Sequence, residues 1–385
     1  MQKLEIHFVD SIAEIGAGAW NELAGTDNPF TRYEFLHALE QTGCTTAVTG
    51  WTPHHAAVYA ATDTLKTLVA IMPLYLKTNS YGEYVFDWSW ASAYQSHGYK
   101  YYPKFVSAVP FTPSVGSRLF VREPESRPEI TGLIRDKVIE KAEFIGASSW
   151  HILFPLENEH DDFDQLGISS RIASQFHWYN KSYTSFDDFL NGLYSRKRKS
   201  IRKERHNVAA QGISFKITEG NDIDEQQWQL FFRFYQSTYM MRGMRGYLNQ
   251  NFFQTLSATM PEQVFMVSAI QDRQMIAAAL FFKSRNKLFG RYWGSARDHQ
   301  FLHFETCYYQ GQDYCIEHGL ESFDSGAQGE HKIQRGFEPI ITYSNHWLAN
   351  QGFAAAIENF LDEERDHIKR YVKQASALLP YKKEC

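Results

Sequence analysis

Two stretches of this chain run through the same succession of apolar periods, and that recurrence constrains the fold more than any single motif. In the first stretch, Leu4, Ile6 and Phe8 alternate with polar neighbours as in a strand, over Met1 to Asp10. Two short helices follow, at Trp20 to Leu23 and Tyr33 to Leu39, with Asp27, Asn28 and Pro29 breaking the chain between them. His55 to Ala61 and Leu68 to Leu76 form a hairpin about a turn at Asp63 and Thr64, and Tyr84 to Trp88 extends the sheet. Strands are expected at Phe105 to Phe111 and Ser117 to Val121, a helix at Ile130 to Ile145 and a buried strand at Trp150 to Phe154. The second stretch has a strand at Ile213 to Thr218, helices at Gln227 to Met241 and Asn251 to Thr259, and a hairpin at Val264 to Ile270 and Met275 to Phe282. It closes with a strand at Leu288 to Gly294, a helix at Phe304 to His318 and a strand at Leu320 to Asp324. A strand, helix, strand order needs a crossover connection, so both halves are α/β.

Between the halves, Phe186 to Ala210 reads as one long helix, with Phe186, Leu190, Tyr194, Ile201 and Val208 near one face. The rest of it is basic. Arg196, Lys197, Arg198, Lys199, Arg202, Lys203 and Arg205 place seven cations in ten positions, with Glu204 the one acid. The chain as a whole carries 39 Lys and Arg against 44 Asp and Glu, so this charge is a local feature and no global field draws in DNA. Arg198, Arg202 and Arg205 share a helix face from which forked guanidiniums can grip phosphate oxygens, and Arg196, Lys197, Lys199 and Lys203 flank them. The longest apolar run, Met275 to Phe282, has eight residues, far short of the roughly 20 that span a bilayer. The first residues lack the order of a signal peptide, and four cysteines without paired spacing suggest no disulfide framework. A reducing cytoplasm is the expected location.

The order strand, two helices, meander, helix, strand is that of the GNAT acyltransferase fold, and here it occurs twice. The run SRKRKSIRKER over residues 195–205, continuing to Ile213, resembles the K-x-R-x-x-I-R-K-A connector of Fem-type peptidoglycan peptidyltransferases. Gly116 to Phe120 resembles the Arg-Gly-Pro strand of that family, and Ile152 to Pro155 its apolar strand ending in Asp-Pro. Tyr292 to Ser295, the helix ending at Gly319, and Phe323 to Gly326 followed by Arg335 to Phe337 resemble its second domain in the same order. The likeness is to Fem-like N-acyltransferases over nearly the whole chain. It implies two tandem GNAT-like domains, 1–183 and 212–352, joined by a basic helical connector at 184–211, with a C-terminal helix at 353–385 able to pack back on the first domain. It further implies an acyl- or aminoacyltransferase that draws on acyl-coenzyme A or aminoacyl-tRNA, with no tightly bound cofactor. The acceptor would be an amine, in peptidoglycan precursor modification.

The segment from Phe323 to Phe337 packs glycines around Glu330, His331, Lys332 and Arg335. Acyl transfer to an amine needs a base and a stabiliser for the oxyanion. Glu330 or His331 is the candidate base, and Lys332 and Arg335 the candidates for holding a substrate carboxylate or phosphate. By the resemblance, backbone amides from Tyr292 to Ser295 would bind the oxyanion; Glu305, on the opposite helix face from Cys307, is read either as a second carboxylate in the cleft or as a helix N-terminal acid favoured by the dipole. Tyr81, Glu83 and Asp87 are candidate acceptor residues, the two acids four apart on an expected strand; Tyr99, Tyr101 and Tyr102 with His97 and Lys100 form an aromatic and basic patch. His299, His303 and Cys307 have the spacing of metal ligands, but a fourth is missing and no Pro-Cys-x-x-Cys follows, so no metal is expected and Cys307 is read as core. The Rossmann, Walker and nucleophile-elbow signatures are absent, which removes dinucleotide, NTPase and serine-hydrolase readings. The GNAT pyrophosphate loop is absent as well, which weighs against coenzyme A. The competing reading is a non-catalytic protein that uses the scaffold to bind a cell-wall precursor or a tRNA end.

Overall fold

The computed structural model describes residues 3–61, 66–241 and 243–382; the expected turn at Asp63 and Thr64, and Cys385, lie outside the described residues. By contact the chain divides into two compact units, residues 1–173 with 341–370 and residues 174–340 with 371–385.

The first unit begins with strand β1 (Lys3–Val9), helices α1 (Ala17–Ala24) and α2 (Tyr33–Gln41), and strands β2 (Trp51–Pro53), β3 (His55–Ala61), β4 (Lys66–Met72) and β5 (Tyr75–Lys77). It continues through α3 (Trp88–Ser96), β6 (Lys104–Ser107), β7 (Phe120–Val121), α4 (Arg127–Ile145), β8 (Ser149–Leu153) and α5 (Glu157–Gln165). One sheet has the order β1-β3-β4-β7; in a second, β2 pairs with β5, β5 with β6, and β6 runs parallel to β8. The parallel β6–β8 pair is the expected crossover, with α4 between. Ser126 caps α4 through the Glu129 amide, and Gly146 ends it in a left-handed conformation. Ile130, Ile134, Val138 and Ala142 of α4 pack on Ala56, Val58, Val69, Phe105 and Trp150. Two expectations change here. Tyr84 to Trp88 is not a strand but the approach to α3, whose N-cap is Asp87. The expected Phe105 to Phe111 strand stops at Ser107, and the chain makes an excursion over 108–119 before Phe120 rejoins the edge of β4 opposite Ile71. Arg118 fills the space this opens: fully buried, it donates to the carbonyls of Ser114 and Gly116 in the excursion and to that of Leu153 at the end of β8.

Strand β9 (Ser169–Tyr179) enters the second unit, followed by α6 (Phe186–Asn191), α7 (Ser195–Ala210), β10 (Ser214–Glu219), α8 (Glu225–Met240), α9 (Gln250–Thr259), β11 (Val264–Gln271), β12 (Gln274–Lys283) and β13 (Lys287–Ser295). The single basic helix expected from sequence is two. Tyr194 N–H donates to the Pro380 carbonyl and Leu193 bridges to Tyr381, so the backbone at 192–194 is taken out of the helix by the chain's last residues. The next helical stretch comprises α10 (Leu302–Phe304), a π-helical turn at Glu305–Tyr309 and α11 (Gln310–Glu317). Then come β14 (Ser322–Asp324), a 3₁₀ turn at Glu330–Arg335, β15 (Glu338–Leu348) and α12 (Gln351–Ser376). The second unit's strands run β10-β11-β12-β13-β14-β9, antiparallel except for the parallel β13–β14 pair. Asp224 starts α8 with a capping box to Gln227, and α8 lies so close to β13 that a Cβ on Gly294 would stand 2.1 Å from the Phe234 carbonyl carbon. β9 and β15 leave no trace in the sequence reading. In the first unit, Ser344 to Leu348 of β15 pair antiparallel with β8, and Ile357 and Leu361 of α12 pack with Trp90, Tyr94 and Tyr101. Each unit thus carries the strand, two helices, meander, helix, strand order of a GNAT-like domain, and the fold is a tandem α/β one.

Candidate active site

In the second unit β13 and β14 are paired only over Lys287 to Phe289 against Ser322 to Asp324, and then diverge. The divergence has a local cause. β13 carries a bulge at Arg291, where the partner of Leu280 is Tyr292 and that of Phe281 is Gly290. Arg291 turns to β14 and forms a two-pronged ion pair with Asp324, at 3.0 and 2.6 Å. Asp324 is fully buried; against the pull of burial, the Arg291 guanidinium and His177 hold its carboxyl far below the usual range. Lys332 is buried beneath the same turn and donates to the carbonyls of Ser325 and Gly326; burial lowers its pKa to about 8 despite Asp324.

A cavity of about 110 Å³ occupies the divergence, lined by Ala279, Leu280, Phe281, Gly290, Arg291, Tyr292, Trp293, His303, Cys307, Tyr308 and Ser325. The π-helical turn supplies Cys307 and Tyr308; widening the helix by one residue aims both at the strands. Burial pushes the Cys307 thiol well up, so it is a neutral wall and not a nucleophile. Tyr308 Oη and His331 Nε2 are 2.9 Å apart, and His303 lies with its ring centroid 5.3 Å from Tyr308 and 5.4 Å from Trp293. Burial, then Arg335 and Lys332, lower His331 to about 4, leaving it neutral near pH 7. Beyond Trp293 and His303 a second hollow of about 330 Å³ is lined also by Thr238, Met241, Ser295, Arg297, Asp298, His299 and Leu302. Two rings therefore stand between two spaces.

The residues singled out from sequence fall into three groups. His331 and Tyr292 are at or beside the cavity. Glu330 is exposed and accepts from Tyr371 Oη at 2.8 Å, and it does not line the cavity. Lys332 and Arg335 are buried and committed internally: Arg335 pairs with Glu204 at 2.8 Å and stacks 3.5 Å from the Phe304 ring centre, so neither reaches substrate as expected. Glu305 is likewise corrected; it faces α7, pairs with Arg205 at 3.0 Å and accepts from Gln310. The basic helix α7 packs against both the π-helical turn and the 330–335 turn through Arg205, Glu204 and a Lys197 to Gln334 hydrogen bond of 2.7 Å. Arg202 pairs with Asp187 at 2.8 Å, whereas the side chains of Arg196, Arg198, Lys199 and Lys203 make no ion pair among the described residues.

The first-unit candidates form a closed polar core and not a cleft. Glu83 and Asp87 are 4% and 2% exposed. Lys104, fully buried, donates to Glu83 at 2.8 Å and to Asp87, and Lys77 lies 3.9 Å from Glu83. Burial brings Lys77 down and Glu83 up, each to about 7. The cluster is sealed from solvent and so offers no cleft to an acceptor, although Glu83 Oε1 and Asp87 Oδ1 lack hydrogen-bond partners among the described residues; the Tyr81 ring is half exposed, and its carbonyl accepts from Lys77 at 3.1 Å. Of the aromatic patch, Tyr101 is buried on Asp87, Tyr102 bonds Ser80, and His97 caps α3 through the Ala93 carbonyl. Behind Tyr101 are His151 and His346, buried with their Nδ1 atoms 2.6 Å apart, so one donates and the other accepts. Burial holds both well below their ordinary pKa, His346 being lowered further by His151 and His151 by Lys104. The unfolded chain takes up protons at these positions near pH 6.5 and the folded pair does not, so stability is lost as pH falls below 6.5. Each histidine contributes at most about 1.4 kcal/mol per pH unit. Thermal melts between pH 7 and 5 are expected to fall less steeply in His346→Asn than in the parent.

Among the described residues no three His, Cys, Asp or Glu side chains come together as metal ligands, and no helix is long and apolar enough to cross a membrane.

The site is thus a parallel strand pair that splays around a cavity, set in a tandem α/β fold. The chain belongs to the FemAB-like family, described as peptidoglycan biosynthesis/recognition, whose family model matches residues 11–383. Among solved structures it is similar to FemX, with 12% identity, a TM-score of 0.52 and coverage of 92% of this chain and all of that one. It is similar also to the C-terminal domain of a putative lysylphosphatidylglycerol synthetase from Agrobacterium fabrum, at 10% identity and a TM-score of 0.50, covering 89% of this chain and 95% of that one. A protein of unknown function from Bacteroides thetaiotaomicron matches at 8% identity and a TM-score of 0.51, covering 89% and 99%. At these identities the likeness is one of fold. No curated protein matches the chain in sequence.

Proposed function

We propose that the second unit transfers an aminoacyl group from the 3′ end of a tRNA to an amine in the building or modification of peptidoglycan precursors. The observation that carries this is the pair of spaces meeting at Trp293 and His303 where β13 and β14 diverge. The acyl carbonyl sits in the smaller cavity against the bulge of β13, where amides from Arg291 to Trp293 stabilise the oxyanion. The amine arrives past Trp293, and His303 takes its proton as nitrogen attacks the ester carbonyl. The tetrahedral intermediate collapses, the C–O bond breaks, and the ribose hydroxyl leaves with the proton. His303 was weighed from sequence only as a metal ligand; its place at the wall gives it the base's role. Tyr308, held by His331, lines the acyl side.

The donor assignment is supported by charge. The cations Arg196, Arg198, Lys199 and Lys203, without ion pairs among the described residues, lie on the helix that packs behind the cavity wall, a surface suited to several phosphates along a nucleic-acid strand. The segment 296–301, between β13 and α10, has no glycine and carries Asp298, a poor cradle for the pyrophosphate of coenzyme A. The test is a transfer assay with labelled aminoacyl-tRNA or acyl-coenzyme A as donor and muramyl-peptide amines as acceptors. Transfer from aminoacyl-tRNA is expected, with His303→Ala lowering kcat by roughly 10² to 10⁴-fold at unchanged donor affinity. Transfer from coenzyme A alone, or full turnover by His303→Ala, would overturn the assignment.

A further inference from the structure

The 330 Å³ hollow beyond Trp293 carries two charges that the fold does not use. Arg297 and Asp298 are both exposed, both line it, and neither makes a hydrogen bond or ion pair among the described residues, even with the other. His299, beside them, gives Nδ1 to Gln211 at 3.3 Å and leaves Nε2 buried without a partner. By contrast, the buried and half-buried charges around the smaller cavity are answered: Arg291 by Asp324, Arg335 by Glu204, Arg205 by Glu305 and Asp313. Unanswered charges of opposite sign at the mouth of a hollow are a recognition pattern for a ligand that carries both.

Resting on the transferase reading above, we infer that this hollow receives the acceptor and selects an amine that belongs to an α-amino-acid group, with its carboxylate and α-amine both free; free alanine is the smallest probe of that group. The carboxylate lies on the Arg297 guanidinium, whose planar fork suits it. Asp298 draws in the ammonium. Met241, Leu302 and Trp293 supply the apolar part of the remaining wall, beside Thr238 and Ser295, and accept a side chain of modest size. A phosphate would meet Asp298 as a like charge, so the hollow fits a zwitterion better than the donor's phosphates. At the wall the ammonium releases one proton to solvent; the neutral amine then forms the new C–N bond while His303 takes its second proton and returns it to the ribose oxygen as the ester C–O bond breaks, leaving an N-aminoacylated amino-acid group and a free ribose hydroxyl.

The discriminating experiment compares alanine with alaninamide, which keeps the amine and loses the carboxylate. Isothermal titration of the full chain with alanine alone, and a transfer assay with aminoacyl-tRNA, are run on the parent, Arg297→Gln and Asp298→Asn. Alanine is expected to be preferred; Arg297→Gln raises its Kd and KM roughly tenfold or more and leaves alaninamide unchanged, whereas Asp298→Asn weakens both. If no donor supports transfer but alanine binds and Arg297→Gln weakens it, the transferase reading fails and the zwitterion site stands. Equal use of alanine and alaninamide by the parent, or a rise in donor Kd in Arg297→Gln with alanine binding unaltered, overturns the inference.

Discussion

Arg291→Met is expected to lower the free energy of unfolding by about 3–5 kcal/mol at pH 7, because it leaves the Asp324 carboxylate buried without its principal partner. The double variant Arg291→Met with Asp324→Leu is expected to recover most of that loss, since an apolar pair of similar volume needs no compensation. Urea denaturation of the three proteins measures both, and a double variant no more stable than Arg291→Met would refute the account. A pH series adds the sign. Asp324 is held below its unfolded value, so its contribution is present above about pH 4 and is lost as the medium is acidified further. Function should follow stability only in part. The same ion pair ties β13 to β14 where they separate, so transfer should stay impaired in the double variant even after the fold is restored.

The second large effect concerns the first unit. Lys104→Met strands Glu83 and Asp87 at once, with Lys77 left 3.9 Å from Glu83, and a loss of about 3–5 kcal/mol is expected. Glu83→Gln should cost less, because its oxygen can still accept from Lys104 while one buried charge disappears. Equilibrium unfolding decides this; a Lys104→Met protein within 1 kcal/mol of the parent, by the roughly 1 kcal/mol scale of ordinary substitutions, would mean the cluster is hydrated and open.

The repeated element order was legible because it rests on apolar periods that burial enforces locally: Ile130, Ile134 and Val138 had to face a sheet whatever their partners. β9 and β15 were missed because neither alternates cleanly; His177, Asn345 and His346 are buried polar residues with partners far away in sequence, Asp324, His160 and His151. The break at Leu193 was invisible for the same reason, its cause being Pro380 and Tyr381. At the site, the segment 323–337 and the basic helix were found as charge and glycine clusters, but a cluster does not tell which charges are spent. Lys332, Arg335 and Glu305 are internal girders, while His303, Trp293 and Tyr308 do the lining. The His303 and Cys307 spacing was the signal that could have found the helical wall: both lie on the helical stretch and line the cavity, while His299 precedes the helix and lines the second hollow.

The excursion at 108–119 is held by a single side chain. The Arg118 guanidinium clamps the carbonyls of Ser114 and Gly116 to that of Leu153, so the loop and the end of β8 must loosen together: a change at this one position would be felt as the loss of a tether and not as the loss of a surface charge.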